Sequence, residues 1–182
     1  MKVRILFLIC FLSITCLLNA ADKPVIQIHT DNSSLIFRVA DNGRLYQSYL
    51  GKKLNHEADI SHLPQGTEAY ITHGMEDYFE PAIHILHNDG NPSLLLKYVS
   101  HETKAVSQGV NETIITLGDD KYPVTVKLHY VTYPAEDIIK TYTEISHKEK
   151  KPVVLHQYAS SMLHLNRAKY YLTEFSGDWA HE

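Results

Sequence analysis

Carboxylates that lie close together in the sequence are the residues best able to carry hydrolytic chemistry. Glu76, Asp77 and Glu80 fall within one short stretch, and Asp119 and Asp120 are adjacent. Hydrolysis of a glycosidic bond uses two carboxyl groups, one as acid and one as base or nucleophile. Such a site also needs a deep pocket, whereas carboxylates at turns more often accept hydrogen bonds from the backbone. We therefore interpret these five residues as structural and predict no catalytic residue among them.

Histidine and tyrosine, whose side chains can take part in catalysis or binding, are also abundant, at 12 each. His84 and His87 are the closest histidines on one predicted strand, but three residues of strand separate them by about 10 Å and turn them to opposite faces. No spacing typical of metal ligands occurs, and no phosphate-binding glycine loop or Gly-x-Ser-x-Gly elbow is present. Exposed tyrosines can stack on sugars, yet alternating tyrosines are equally typical of strand faces. The sequence predicts no metal and no cofactor.

The first 20 residues have the pattern of a secretory signal peptide. Lys2 and Arg4 precede an apolar run from Ile5 to Leu18, and Ala20-Ala21 provide the small residues of a cleavage site. The apolar run is short for a membrane span. We therefore predict a signal peptide over residues 1–20 and a secreted, periplasmic product.

The mature domain, residues 21–182, is expected to fold through its core alone. The two cysteines, Cys10 and Cys16, both fall in the signal peptide, so no disulfide or thiolate site is expected. About 160 residues are enough to bury a substantial core. Without Lys2 and Arg4 the chain has 15 basic and 21 acidic residues, a net charge of -6. Such a charge argues against a nucleic-acid partner, and neither nucleic acid nor membrane is expected to bind.

Alternation with a period of two runs through most of this domain. The clearest strand covers residues 124–131, with one face formed by Val124, Val126, Leu128 and Tyr130. Similar alternation marks residues 25–29, 35–39, 45–51, 113–117 and 138–146, and an apolar strand is predicted over 153–165. The segment 52–65 has no clean period and is predicted to be a loop. Because turn signals separate the strands and no helical period is convincing, we predict an all-β fold, an antiparallel β-sandwich.

Residues 68–102 combine an aromatic and acidic loop with a predicted β-hairpin. The hairpin strands would cover residues 82–87 and 93–102. The turn between them, Asn-Asp-Gly-Asn-Pro over residues 88–92, has typical turn chemistry, since Gly tolerates positive φ and Pro fixes the exit.

The same stretch resembles a segment of the family 36 glycoside hydrolases, the α-galactosidases. In that family an aromatic motif ending in Pro-Ala precedes a strand, an Asn/Asp-Gly turn and a Leu-x-Tyr-Val-Ser-His strand. The matching positions are Tyr70, Gly74, Asp77, Tyr78, Pro81, Ala82, Asp89, Gly90, Leu96, Tyr98, Val99, Ser100 and His101. Ile71 stands where many members have Pro, and Tyr78 where many have Phe.

Three further segments resemble the family in the same order along the chain. Leu45–Lys52 is similar to an early Leu-x-x-x-Tyr-x-Gly-Lys strand, and Tyr158–Met162 to a later Ala-x-Ser-Met strand. Gly177–Glu182 is similar to a Gly-x-Trp-x-Arg-Glu motif, with His181 in place of Arg. Together these matches span nearly all of the mature chain.

The resemblance implies the supersandwich-like N-terminal domain of such an enzyme. In the family a catalytic (β/α)₈ barrel follows this domain, with its nucleophile in a Lys-Trp-Asp motif and its acid/base at a later Asp. This sequence has no Lys-Trp-Asp motif. No catalytic residue is therefore carried over, and we expect the chain to be truncated before the barrel and inactive alone.

One residue is a candidate for contact with substrate. In some tetrameric members a loop of this domain offers an Asp and aromatic side chains to the active site of a neighbouring subunit. The corresponding region here, Asn55–Gly66, is short, and Asp59 is its one Asp. The resemblance thus implies Asp59 as a substrate-proximal residue in a full-length homo-oligomer, with the galactoside touched at most indirectly.

Two other readings stay open from the sequence. A stand-alone carbohydrate-binding sandwich would share the strand pattern and the tyrosines. A structural domain that docks to a separately encoded barrel would share the absence of catalytic residues. Titration with galactosides distinguishes the first of these from an enzyme domain.

Overall fold

The computed structural model describes residues 23–75 and 80–165, and this part of the chain is almost entirely β-structure. One short helix, α1, covers Glu57–Ser61. The strands are β1 Val25–His29, β2 Ser33–Val39, β3 Leu45–Lys52, β4 Thr67–Glu68, β5 Ile83–Leu86, β6 Lys97–Ser107, β7 Val110–Gly118, β8 Val124–Tyr133, β9 Ile138–His147 and β10 Val154–Tyr158.

The strands form two four-stranded antiparallel sheets and a two-stranded ribbon. The first sheet has the order β1-β2-β3-β4, the second sheet has the order β6-β7-β8-β9, and the ribbon pairs β10 with β5. In both four-stranded sheets consecutive strands are neighbours. Short turns join all of them except β3 and β4, which are connected by the segment that contains α1. This arrangement confirms the all-β, antiparallel prediction.

The described residues form one hydrophobic core, which the two large sheets and the ribbon share. Ile26 and Phe37 of the first sheet share it with Ile115 and Val126 of the second. The Phe37 ring lies 5.1 Å from that of Tyr130. The alternation predicted for residues 124–131 is confirmed, because the side chains on that face of β8 are buried. The two sheets therefore pack as a β-sandwich, each contributing alternate residues to the core.

The hairpin predicted between residues 82–87 and 93–102 is wrong. The turn after β5 does form, and Gly90 has the positive φ expected of it, +84°. However, β5 pairs with β10, and β6 pairs with β7. Leu94 and Leu96 are buried in the core, and their burial draws the chain across from the ribbon to the second sheet.

Two predicted segments differ in extent from the structure. The predicted loop 52–65 contains α1, which is anchored by the buried side chain of Ile60. The apolar run 153–165 is a strand only over β10. No helix within the described residues is long and apolar enough to cross a membrane.

Several predicted features lie outside the described residues. They are the signal peptide, the acidic residues 76 and 77, and the motif around Trp179.

Candidate functional site

The candidate substrate-proximal residue, Asp59, lies on α1, on the connection between β3 and β4. The helix is held from behind, because Ile60 is only 4% exposed and the Arg38 guanidinium donates a hydrogen bond to its carbonyl oxygen. Asp59 itself is exposed. Its side chain makes no hydrogen bond or ion pair to any other described residue. The structure thus presents an unengaged carboxylate on an anchored turn of helix.

A cleft of about 480 Å³ runs beside α1, between the helix and the edge of the first sheet. It combines charges of both signs, since its described lining includes Lys23, Arg38 and Glu57. Arg38 Nε is buried there without a hydrogen-bond partner among the described residues. Asp59 is not one of the described residues that line this cleft, so the structure does not join the two into one site.

The carboxylates singled out from the sequence have structural partners where the structure describes them. Asp119 accepts backbone hydrogen bonds from Leu95 (2.6 Å), Lys121 (2.7 Å) and Tyr122 (2.8 Å). Asp120 forms an exposed ion pair with Lys97. The hollow beside these two aspartates holds about 200 Å³, less than the roughly 300 Å³ at which small-molecule pockets begin. Their interpretation as turn-forming residues is confirmed for Asp119.

Glu80 also has a structural partner, since its carboxylate accepts a hydrogen bond of 2.9 Å from Gln157 on β10. This bond ties the chain ahead of β5 to the partner strand of the ribbon. Glu76 and Asp77 lie outside the described residues, so their roles stay predictions.

His87 and His84 face different surroundings, as their spacing predicts. His87 Nδ1 lies 2.7 Å from a carboxylate oxygen of Glu149, with both side chains almost fully buried. The His87 ring stacks on Tyr122 with 3.5 Å between centroids. This cluster fastens the turn after β5 to the loop between β9 and β10, so His87 is a structural residue.

His84 instead belongs to a group of three imidazoles that the sequence does not reveal. Its ring lies 3.7 Å from the His73 ring and 4.8 Å from the His156 ring, centroid to centroid. Partial burial lowers the pKa of His84, and the two neighbouring imidazoles lower it further. Nevertheless, no group of three or more potential ligands within the described residues is arranged to hold a metal ion.

A polar network on the outer face of the second sheet was also missed by sequence reasoning. The Tyr142 hydroxyl donates a hydrogen bond of 2.6 Å to Glu112, and His129 Nδ1 lies 2.9 Å from the same oxygen. Lys104 Nζ lies 3.0 Å from the other carboxylate oxygen. The hydrogen bond from Tyr142, and then those from His129 and Lys104, lower the pKa of Glu112 to about 2. Glu112 is therefore an ionised carboxylate with every contact satisfied.

The four members of this network come from four strands, β6 to β9, that are neighbours in the sheet. The alternation of β8 places His129 on the face opposite the core, but only the register sets it across from Tyr142. Beside the network lies a hollow of about 500 Å³, whose described lining includes Val106, Val131, Tyr133 and Lys140.

Solved structures similar to this chain are α-galactosidases. The α-galactosidase AgaA from Geobacillus stearothermophilus is 18% identical with a TM-score of 0.67, over 75% of this chain and 24% of that chain. The enzyme from Lactobacillus brevis is 17% identical with a TM-score of 0.65, over 76% and 23%. The galactosidase domain of the α-galactosidase–sucrose kinase AgaSK is 20% identical with a TM-score of 0.67, over 75% and 24%.

These likenesses establish a shared fold, and the chain spans about a quarter of the length of those proteins. No curated protein matches this sequence. Residues 38–182, which include β3, β4, the ribbon and the whole second sheet, match the family described as the glycosyl hydrolase family 36 N-terminal domain. The chain belongs to the glycosyl hydrolase family 36 N-terminal domain family.

Proposed function

We propose that this chain is the non-catalytic N-terminal β-sandwich domain of a secreted α-galactosidase. The observation that carries the proposal is the family match over residues 38–182. It is supported by the similar solved structures, all named as α-galactosidases or a galactosidase domain, of which the chain spans about a quarter. In this proposal the hydrolysis of terminal α-galactosides takes place in a separate barrel domain.

The contacts of the described carboxylates support a non-catalytic role. A retaining glycosidase holds its two catalytic carboxyl groups about 5 Å apart across the substrate, and one must exchange a proton. Asp119 accepts three backbone hydrogen bonds, and Glu112 accepts three from side chains. These contacts hold Glu112 ionised and occupy the carboxylate oxygens of Asp119, an arrangement that suits neither a proton donor nor a free nucleophile.

An assay with an aryl α-galactoside tests the absence of catalysis. The purified chain should show no turnover above a heat-denatured sample, while AgaA assayed in parallel supplies the positive control. Measurable turnover that survives repeated purification would overturn the assignment as a non-catalytic domain.

Secretion is proposed from the sequence of the first 20 residues. The basic residues, the apolar run and Ala20-Ala21 together form the pattern that a signal peptidase recognises. Expression in a Gram-negative host and mass spectrometry of the periplasmic fraction should find a product that begins near residue 21. A product retained in the cytoplasm with its first residues intact would contradict this.

Asp59 is proposed to approach the substrate of a neighbouring subunit in the assembled enzyme. Its support is local, since the carboxylate is exposed, unengaged by the described residues and fixed on an anchored helix. The test is Asp59→Ala in a full-length enzyme that carries this loop. The KM for the galactoside should rise while the melting temperature stays constant, and an unchanged KM would remove Asp59 from the site.

A further inference from the structure

The outer face of the second sheet buries side chains although no second layer of described chain covers it. Ile114, His129 and Val131 point away from the core, and each is less than 9% exposed. They are shielded by longer neighbours on the same face, such as Tyr142 and Lys140. Because the side chains on this face pack against one another, the face has a defined shape. A surface of separate, mobile side chains would not.

The orientation of Tyr142 on this face is fixed by two contacts. Its hydroxyl donates to Glu112 at 2.6 Å. Its ring stacks on His129 with 4.2 Å between centroids and 13° between planes. Cross-strand aromatic pairs of this kind stabilise a sheet, and here they also hold a tyrosine that is still 39% exposed. The ring is a pre-positioned contact surface.

The hollow next to Tyr142 has the size and lining of a small-molecule site. Its volume is about 500 Å³, within the range of about 300–1,000 Å³ found for ligand pockets. Val131 and Val106 give it apolar surface, and Tyr133 and Tyr142 give it aromatic surface. Among the described residues, the Tyr133 hydroxyl has no hydrogen-bond partner, and Lys140 has only its contact with the Tyr142 ring, at 5.9 Å from the centroid.

The balance of charge in this hollow favours a neutral polar ligand. Lys140 is the one cation among the described lining residues, whereas phosphate recognition uses several cations or a nest of amides. The carboxylate of Glu112, with its pKa lowered to about 2 by Tyr142 and its other partners, is ionised at neutral pH and disfavours an anion. A pyranose offers an apolar C–H face to an aromatic ring and hydroxyls that both donate and accept hydrogen bonds.

We propose that the hollow formed by Val106, Val131, Tyr133, Lys140 and Tyr142 is a saccharide-binding site that takes a neutral galactose-containing oligosaccharide. The pyranose would lie against Tyr142, with its hydroxyls directed to Tyr133 and Lys140. The choice of galactoside rests on the proposed function, while the location rests on the geometry of the second sheet alone. Such a site would hold substrate on the enzyme without taking part in hydrolysis.

The experiment is a titration of the isotopically labelled chain with raffinose, followed by amide chemical shifts. We expect saturable shifts confined to the end of β6 around Val106 and to β7, β8 and β9, with a dissociation constant on the order of 1 mM, which corresponds to about 4 kcal/mol of binding free energy. Tyr142→Ala should weaken binding at least about tenfold, and Lys140→Ala less. Tyr158→Ala is the matched control, because Tyr158 is exposed on β10, outside this face, and should leave binding unchanged.

Two further measurements distinguish a lost contact with the sugar from a loss of folded structure. Tyr133→Phe keeps the ring and removes only the hydroxyl, so it should weaken binding while circular dichroism and melting temperature stay the same. Sucrose is raffinose without its galactosyl unit and should bind more weakly. Equal binding of the two sugars would overturn the galactoside assignment. If no saturable shift appears at raffinose concentrations well above about 1 mM, the site itself is refuted. Full binding by a folded Tyr142→Ala variant would refute it too.

Failure of this proposal leaves the proposed function standing. That function is tested by turnover of an aryl galactoside, which does not involve this face. Conversely, turnover by the isolated chain would refute the non-catalytic assignment, and the shifts on the second sheet and their loss in Tyr142→Ala would still decide this proposal.

Discussion

Adding a methyl group at Gly66, as in Gly66→Ala, should disturb the junction between the loop that carries α1 and the first sheet. Gly66 ends that loop immediately before β4 and has φ of +83°. A Cβ built there would overlap the carbonyl oxygen of Gln47 and lie 2.9 Å from Ser48 Cα. These are backbone atoms of β3, and they cannot rotate away as a side chain does.

Gly90 provides a matched control for Gly66→Ala. Its φ is +84°, but a Cβ there would meet nothing within 4 Å. Replacing Gly by Ala at a positive φ destabilises the folded state by about 1–2 kcal/mol. The same change makes the unfolded chain less flexible, which offsets about 0.4–1 kcal/mol of that loss. Gly90→Ala should therefore lower the free energy of unfolding by about 1 kcal/mol.

Gly66→Ala adds a steric term to the same backbone cost. Overpacking against a rigid neighbour costs about 1–3 kcal/mol, so the loss should reach about 2–4 kcal/mol. Urea unfolding followed by far-ultraviolet circular dichroism measures both variants. With a slope of about 2 kcal/mol per molar urea, the midpoint of Gly66→Ala should fall about 1 M below that of Gly90→Ala. Equal losses in the two variants would refute the reasoning, because the close approach to β3 would then carry no energy.

Three further predictions concern the core, the outer network and the loop. Phe37→Ala should cost about 3–5 kcal/mol in urea unfolding, because Phe37 is fully buried against Tyr130 and its removal leaves a cavity; a loss below 1 kcal/mol would mean that the two sheets do not share this core. Glu112 has its pKa lowered from 4.5 to about 2, chiefly by the hydrogen bond from Tyr142, so it stabilises the fold above pH 4.5 and loses that effect as pH falls towards 2. Glu112→Gln should therefore flatten the decline of melting temperature across that window, and an unchanged decline would contradict the network. Asp59→Ala should change the unfolding free energy of the chain by less than about 0.5 kcal/mol, as for other exposed residues without partners, and a larger loss in urea unfolding would assign Asp59 a structural role.

Local features of the fold follow closely from the sequence. The alternation of residues 124–131 predicts the buried face of β8, because successive side chains of a strand point to opposite sides. The Asp-Asn-Gly sequence at residues 41–43 predicts a hairpin turn, and it joins β2 to β3 with Gly43 at positive φ. These predictions succeed because each depends on a few neighbouring residues.

The helix α1 was not predictable in the same way. Five residues give too short a stretch for a helical period. Its first residue is preceded by His56, whose side chain makes no capping hydrogen bond. The helix is held by tertiary contacts, namely burial of Ile60 and the hydrogen bond from Arg38.

Sequence alone determined that this chain is an antiparallel β-sandwich, and its motifs pointed to family 36. Tertiary structure alone decided which strands are partners. A Gly-containing turn after β5 satisfies the local rules for a hairpin, yet β5 pairs with β10, some seventy residues along the chain. A period of two specifies which face of a strand is buried, but it does not specify the neighbouring strand or the register. The group of His73, His84 and His156 depends on the pairing of β5 with β10. The contact of Tyr142 with Glu112 depends on the register of β7, β8 and β9.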